Sequence, residues 1–272
     1  MRKILAFVSA AVLALSLAAC GTGSYSGSDP DQPLKVGASP VPHAEILDYI
    51  KKNLAPKAGL KLEVVSFNDY VQPNMQLMDG TLDANYFQTR PFLDEFTSSH
   101  PDAKFSYVED VHLEPLGLYS NKVKDAKSLA NGATVAVPND PTNLGRGLKL
   151  LADNGLITLK GDKTTGITEK DVASNPKNLQ FKPLDPAQLP RSLSDVDAAV
   201  INGNFAIKAG LSPAKDAFLL EKTAGNPNAN GLVVQTENKN DPRVQKLAKL
   251  LHDPKVKQFI KDKYDGSVLP TF

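Results

Sequence analysis

The chain has 272 residues, of which 31 are basic and 30 acidic, giving a formal net charge of +1, and 41% of its residues are hydrophobic. This balance does not favour nucleic-acid binding, which requires a clustered basic face, and the apolar content suits one large or two medium domains. Because Cys20 is the single cysteine, an internal disulfide is excluded and the folded part must be stable through packing alone.

The chain begins with the pattern of a secretory signal. Met1-Arg2-Lys3 is positively charged, Ile4 to Ala19 is almost continuously apolar, and Cys20 follows Leu17, Ala18 and Ala19. The apolar run is short for a membrane span, which needs about 20 apolar residues, so we predict a signal peptide over residues 1–19. The position of Cys20 resembles a bacterial lipobox, which implies an acylated N-terminal cysteine that anchors the protein to a membrane. An uncleaved anchor with a passive thiol is the alternative.

Residues 20–33 form the next segment, which is rich in glycine, serine, aspartate and proline. Such a composition cannot bury an apolar core, so we predict a flexible tether that ends where folded structure begins, near Leu34.

From residue 34 onward, strand-like runs alternate with helix-like runs, which indicates an α/β protein with a partly parallel sheet. The predicted helices begin at Pro42, near Val71, at Pro141, at Pro242 and at Pro254. The predicted strands are residues 34–38, 60–67, 82–87, 104–108, 116–120, 134–137, 178–184, 198–202, 217–220 and 231–235. No segment after the signal is apolar for long enough to span a bilayer.

The sequence ATVAVPNDPTNLGRGL, residues 133–148, combines a strand, a tight turn and a capped helix. Asp140 is the predicted N-cap and Pro141 the first helical residue, so the free amides of the first turn could bind an anion. Arg146 lies opposite the apolar stripe, where its guanidinium could bind a carboxylate through two hydrogen bonds. On spacing alone, a solvated helix face is the commoner explanation for this residue. Gly145 and Gly147 predict that another backbone or a ligand comes close.

Several longer motifs carry a family resemblance. They are FNDY at 67–70, LDANYFQTRPFLDEF at 82–96, HLEPLGLYS at 112–120, AVPNDPTNLGRGLKLL at 136–151 and PRSL at 190–193. With these motifs in this order, nearly all of the mature chain resembles the NlpA/MetQ family of methionine-binding lipoproteins.

The resemblance implies a periplasmic-binding-protein-like fold of type II, with two α/β lobes and a ligand cleft between them. Residues 34–118 plus 226–272 would form one lobe, and residues 119–225 the other. It also implies a function without catalysis, in which the protein binds L-methionine or a close derivative and delivers it to the permease and ATPase of an ABC importer.

The resemblance also implies binding residues. Arg146 would hold the ligand α-carboxylate, Asn202 would bind the polar end of the amino acid, and Asn230 would add a polar contact. Tyr70 and Phe87 would wall the side-chain pocket, where aromatic edges suit a thioether. From the residues alone, the aromatic side chains could equally be core residues and the two asparagines turn residues.

Two positions depart from the commonest family pattern. Thr89 stands where histidine is common, and Phe92 stands where tyrosine is common, so both changes alter the hydrogen-bonding groups of the pocket. The sequence therefore leaves open a methionyl dipeptide or another apolar amino acid as the ligand.

Two other classes of function are a metal receptor and an exported hydrolase. A metal receptor would need clustered ligands, but His43, His100, His112 and His252 lack metal-ligand spacing, and His43 fits the start of the first helix. An exported hydrolase would need a nucleophile elbow, a phosphate-binding loop or a zinc-hydrolase helix, and the sequence contains none of these motifs. We therefore predict no metal, no cofactor and no enzymatic activity.

Overall fold

The computed structural model describes residues 31–163 and 165–272. The predicted signal peptide 1–19, the lipidation site Cys20 and most of the tether 20–33 lie outside these residues. The first strand begins at Leu34, as expected from the sequence. None of the helices within the described ranges is long and apolar enough to cross a membrane.

Strands and helices alternate along the chain, which confirms the predicted α/β class. The strands are β1 (Leu34–Ala38), β2 (Leu62–Ser66), β3 (Ala84–Thr89), β4 (Phe105–Leu113), β5 (Gly117–Tyr119), β6 (Thr134–Pro138), β7 (Thr158–Leu159), β8 (Val172–Ser174), β9 (Gln180–Leu184), β10 (Ala198–Ile201), β11 (Leu219–Leu220), β12 (Ala229–Gln235) and β13 (Leu269–Pro270). The helices are α1 (Glu45–Asn53), α2 (Gln72–Met78), α3 (Arg90–Ser99), α4 (Pro141–Asp153), α5 (Leu189–Ser192), α6 (Gly203–Lys208), α7 (Pro213–Asp216), α8 (Pro242–Leu251) and α9 (Pro254–Tyr264).

Two large sheets organise the described residues. The first has the order β13-β4-β12-β3-β1-β2, in which β1 runs parallel to β2 and β3, and β12 runs antiparallel to β3 and β4. The second has the order β11-β5-β10-β6-β9, in which β6 runs parallel to β9 and β10. The predicted lobe boundary between residues 118 and 119 falls inside β5, which pairs entirely within the second sheet.

Each sheet has its own apolar core. In the first core, the stripe of Ile46, Leu47 and Ile50 on α1 is fully buried, as is the predicted stripe of Val244, Leu247 and Leu251 on α8. In the second core, α4 packs Leu148 and Leu151 against β6 and β10. The helical spacing of the apolar residues therefore determined which faces turn inward.

Local signals set most helix starts. Asp140, Asp241 and Asp253 each accept a hydrogen bond from the first turn of α4, α8 and α9, and each is followed by proline, as predicted. The helix predicted from Pro42 instead begins at Glu45, because residues Pro40–Ala44 form a separate helical turn that contains His43.

The two glycines of α4 confirm the predicted close approach. A Cβ atom at Gly145 would lie 3.3 Å from the carbonyl oxygen of Ile167, and one at Gly147 would lie 3.2 Å from Cγ1 of Val200. Neighbouring parts of the protein, rather than a ligand, occupy the space that larger side chains would need.

Candidate functional site

A central pocket lies where elements of the two sheets meet. β3, α3, β12 and the loop before α2 line it on the side of the first sheet, and α4 and the turn after β10 line it on the side of the second. The residues that line this pocket are Tyr70, Phe87, Gln88, Thr89, Phe92, Glu114, Asn143, Arg146, Asn202, Gly203, Asn204 and Asn230. The structure therefore brings together all seven residues that the resemblance implied, namely Tyr70, Phe87, Thr89, Phe92, Arg146, Asn202 and Asn230.

The polar wall of the pocket is built on the start of α4. Asp140 caps this helix by accepting the backbone N–H of Asn143 at 2.9 Å. The buried side chain of Asn143 then accepts hydrogen bonds from Arg146 Nη1 at 3.1 Å and from Asn202 Nδ2 at 2.9 Å. One asparagine thus fixes the positions of the two polar residues expected to bind the ligand.

Arg146 is buried, with only 11% of its side chain exposed, so the explanation of a solvated helix face is wrong. The sequence predicted that its guanidinium donates two hydrogen bonds to one carboxylate. That carboxylate is Glu221 of the protein itself, which accepts Nε–H on Oε1 at 3.2 Å and Nη2–H on Oε2 at 2.7 Å. Burial favours the neutral acid, but the guanidinium outweighs it and holds the pKa of Glu221 below its usual value. Nη2 also donates to the carbonyl of Glu114 at 3.4 Å, so the N–H left for a ligand is on Nη1.

Asn202 presents an unused acceptor to the pocket. Its Nδ2 donates to Asn143, but its Oδ1 is buried without a hydrogen-bond partner among the described residues. A buried acceptor that lacks a partner costs about 1–3 kcal/mol, so this oxygen favours a ligand that brings a donor.

Aromatic rings form the apolar wall. The Tyr70 ring lies 6.0 Å from Phe87 and 5.8 Å from Phe92, and the latter two rings are 5.9 Å apart, edge to face. Tyr70 precedes α2 on the side of the first sheet, yet its hydroxyl donates to Asn204 Oδ1, on the side of the second, at 2.5 Å. These aromatic residues pack as core residues do, but they also line the pocket.

Thr89 has a structural task that the sequence analysis did not predict. Its Oγ1 accepts the backbone N–H of Phe92 at 3.3 Å and caps α3. The sequence Thr89-Arg90-Pro91 carries the usual signal of such a cap, a threonine followed by proline in the first turn.

Sequence reasoning missed the other lining residues, Gln88, Glu114, Asn143, Gly203 and Asn204, and the ion-pair partner Glu221. Gln88 is held by Asn74 through two reciprocal hydrogen bonds of 2.9 and 2.7 Å. Asn143 and Asn204 lie in the first turns of α4 and α6, which follow the parallel strands β6 and β10. Ligand sites concentrate at such strand ends in α/β proteins, so their positions could have been noticed.

Glu114 is the centre of a buried cluster with two histidines. Its Oε1 lies 2.8 Å from His112 Nε2 and 3.3 Å from His43 Nε2, and His43 Nε2 also lies 3.1 Å from Asn230 Oδ1. Burial is the main cause that lowers the pKa of His43 to about 4 and that of His112 to about 3, so both rings are neutral near pH 7.

These histidines were predicted not to form a metal site because their sequence spacing is wrong for one. Within the described ranges, His43, His112 and Glu114 are the one group of metal-ligand residue types with donor atoms within 4.8 Å of one another. Spacing could not find this group, because the chain brings distant residues together only in the folded protein. A hydrogen bond joins His112 Nε2 to Glu114 Oε1, and another joins His43 Nε2 to Asn230 Oδ1.

The fold and the pocket define a class, the two-lobed α/β substrate-binding proteins, in which a ligand site lies between two sheets. The sequence pattern of the NlpA lipoprotein family matches residues 34–272. This chain belongs to the NlpA lipoprotein family.

Individual relatives agree with this assignment. The methionine-binding lipoprotein MetQ of Bacillus subtilis is 39% identical over 273 residues, which cover 99% of both chains. A nutrient-binding protein from Burkholderia cenocepacia, solved bound to methionine, superposes with a TM-score of 0.84 at 45% identity and covers 88% of this chain and 100% of that one. A periplasmic substrate-binding protein of an ABC transporter from Coxiella burnetii superposes with a TM-score of 0.83 at 40% identity, covering 87% and 99%.

Proposed function

We propose that this protein is an extracytoplasmic receptor that binds L-methionine or a close derivative and delivers it to the permease and ATPase of an ABC importer. The observation that carries the proposal is the central pocket, which joins a buried guanidinium and amide groups to a wall of aromatic rings. This combination matches a small zwitterion with an apolar side chain. The similarity to a structure bound to methionine supports the choice of amino acid.

The roles of the residues follow from their chemistry. Arg146 binds the α-carboxylate through Nη1, while Glu221 holds the rest of the guanidinium in place. Asn202 and Asn230 contact the polar end of the ligand. Tyr70, Phe87 and Phe92 surround the thioether, where sulfur at an aromatic edge gains about 0.3–1.5 kcal/mol each.

The protein acts by binding and catalyses no reaction. Removal of residues 1–19 and acylation of Cys20 attach it to the membrane, and residues 20–33 act as a tether. Two lobes, one built on the first sheet and the other on the second, close around the ligand. Closure withdraws Arg146 and the ligand carboxylate from water, which strengthens their attraction.

A thermal-shift panel on the purified full chain tests the proposal. A ligand at 100 times its Kd adds about 2.7 kcal/mol to the free energy of unfolding, and each kcal/mol raises Tm by about 2–4 °C in a protein of this size. The panel contains L-methionine, D-methionine, methionine sulfoxide, glycylmethionine, leucine and glutamate.

We expect the largest rise in Tm with L-methionine and none with glutamate, since the aromatic wall offers a second carboxylate no partner. A larger rise in Tm with glycylmethionine or leucine would identify that compound as the ligand in place of L-methionine, and the protein would still be a receptor of the same class. The absence of a shift with every compound would contradict the proposed function.

A further inference from the structure

Five exposed lysines cluster at one end of the first sheet. They lie in the last turn of α1, in the segment that leads from α1 to β2, and on α8. The members of this lysine corner are Lys51, Lys52, Lys57, Lys61 and Lys246. We propose that the lysine corner docks the receptor on the surface of the membrane that anchors it, through the anionic headgroups of phospholipids. The inference goes beyond the ligand site and rests on the membrane anchor of the proposed function.

Contacts between distant parts of the chain hold the lysine corner together. Lys246 Nζ donates to the backbone carbonyl of Gly59 at 3.2 Å, which joins α8 to the segment between α1 and β2. Beneath the surface, Leu54, Leu60 and Leu247 are buried in the same apolar core. The lysines therefore project from backbone that is fixed by packing, and they form one continuous surface.

The lysine corner carries a net positive charge. No acidic residue interrupts the sequence of residues 51–61, and Glu63, the next acid along the chain, is paired with Lys35 at 3.5 Å. When Asp31 and Asp48 are counted against the five lysines, the corner has a net charge of +3, whereas the whole chain has +1. Positive charge is thus concentrated at this corner. Each lysine near an anionic membrane surface strengthens binding by about fivefold.

The proposed tether joins the folded protein at this same corner. Lys61 Nζ donates to the backbone carbonyl of Asp31 at 2.9 Å, and the N–H of Leu34, where β1 begins, donates to the carbonyl of Lys61 at 2.8 Å. Ten residues separate Cys20 from Asp31. A flexible chain of this length spans roughly 16–19 Å on average, so an acylated Cys20 holds the lysine corner near the bilayer.

This attachment favours the membrane over an acidic partner in solution. Because the contact is made within one tethered molecule, a weak affinity for the lipid surface is sufficient to hold the corner there. The corner also lies at the opposite end of the first sheet from the central pocket, since β1 begins at the corner and the parallel strand β3 ends at Thr89 in the pocket. Docking therefore leaves the pocket facing away from the bilayer and open to its ligand.

Energy transfer from a fluorophore on the protein to an acceptor lipid tests the inference. The purified lipoprotein is reconstituted in vesicles of phosphatidylcholine, either alone or with about a quarter phosphatidylglycerol. Acylation blocks the thiol of Cys20, the single cysteine, so Asn53→Cys places one label at the lysine corner and Ala130→Cys places one on the lobe of the second sheet.

We expect energy transfer from position 53 to be higher in the vesicles that contain phosphatidylglycerol. The gain should be at least about 1.5-fold and should vanish in about 1 M NaCl, where the Debye length is about 3 Å. Transfer from position 130 should not rise, because the lobe of the second sheet does not contribute to the lysine corner.

Two triple variants locate the contact. The first replaces Lys51, Lys52 and Lys57 by glutamine, which should lower the ratio of docked to undocked protein about 100-fold and remove the gain in energy transfer. The control removes the same charge from three exposed lysines of the other lobe and should keep the gain. It carries Lys124→Gln, Lys127→Gln and Lys170→Gln. Both variants should bind methionine with wild-type affinity, because none of the six residues lines the central pocket.

The outcomes separate this inference from the receptor function. If the lipoprotein does not float with the vesicles, the membrane anchor fails and the inference fails with it. If it floats but transfer from position 53 is equal in the two kinds of vesicle, docking through the lysine corner is wrong, while the anchored receptor stands. A gain that persists without Lys51, Lys52 and Lys57, or that the control variant also loses, overturns the inference as well. Failure of the wild-type protein to bind any compound of the thermal-shift panel would contradict the receptor function alone.

Discussion

The ion pair between Arg146 and Glu221 allows the structural and ligand-binding contributions of one guanidinium to be separated. Both side chains are largely buried, at 11% and 15% exposure, and their closest atoms are 2.7 Å apart. Arg146→Met leaves the Glu221 carboxylate buried without its cation. We expect this variant to lose about 3–5 kcal/mol of unfolding free energy, the usual cost of halving a buried ion pair.

The double variant Arg146→Met with Glu221→Gln removes the unpaired charge. It should recover most of the lost unfolding free energy, because replacing both members of a buried pair is often neutral. It should not recover ligand binding, which we expect to stay about 2–5 kcal/mol weaker than in the wild-type protein. Urea unfolding measures the first quantity, and isothermal titration with methionine measures the second.

The matched control is Arg243→Met. Arg243 is another buried arginine, paired with Asp241 at 2.8 Å and Asp83 at 3.2 Å, but it does not line the central pocket. Its loss should lower the unfolding free energy and leave methionine affinity unchanged. Wild-type affinity in the Arg146→Met, Glu221→Gln double variant would refute the assignment of the ligand carboxylate to Arg146.

Three further predictions concern stability and localisation. The folded-state pKa values of His43 and His112, about 4 and about 3, lie below the ordinary 6.5, so the unfolded chain takes up protons first as pH falls. Each histidine should therefore remove about 3 kcal/mol of unfolding free energy between pH 6.5 and 4, a decline that His112→Gln should flatten in urea titrations at several pH values. Gly231→Ala should cost about 3 kcal/mol, because the added Cβ would lie 2.2 Å from the carbonyl oxygen of Glu109. Cys20→Ala should release the protein from the membrane fraction and abolish labelling by a fatty-acid probe.

Each of these predictions has a contrary result. Burial raises the pKa of Glu114, so this group makes the unfolding free energy rise as pH falls, opposite to the effect of the histidines. The comparison of His112→Gln with the wild-type protein is therefore decisive. If the two proteins lose unfolding free energy in parallel as pH falls, the histidine argument is contradicted. Gly147→Ala, whose Cβ would meet only side-chain atoms, with Cγ1 of Val200 the nearest at 3.2 Å, is the control for Gly231→Ala and should be nearly neutral. Membrane retention of Cys20→Ala would indicate an uncleaved anchor.

The amino-acid sequence determined the local elements of this protein. Aspartate followed by proline marked the starts of α4, α8 and α9, and the apolar spacing of Val244, Leu247 and Leu251 predicted a face that is fully buried. Such signals involve residues within a turn or two of each other, so the sequence contains all of the interacting partners. The motifs that carried the family resemblance contain five of the seven predicted pocket residues, and the resemblance itself added Asn202 and Asn230.

Only the tertiary structure decided how distant charges and donors are paired. The guanidinium of Arg146 pairs with the carboxylate of Glu221, 75 residues away. The carboxylate of Glu114 lies within 3.3 Å of a ring nitrogen of both His43 and His112. β4 extends to Leu113, beyond the predicted strand 104–108, because β12 and β13 pair with its second half. Hydrogen bonds and ion pairs between remote residues depend on which strands become neighbours, and no periodicity within a short window records that choice.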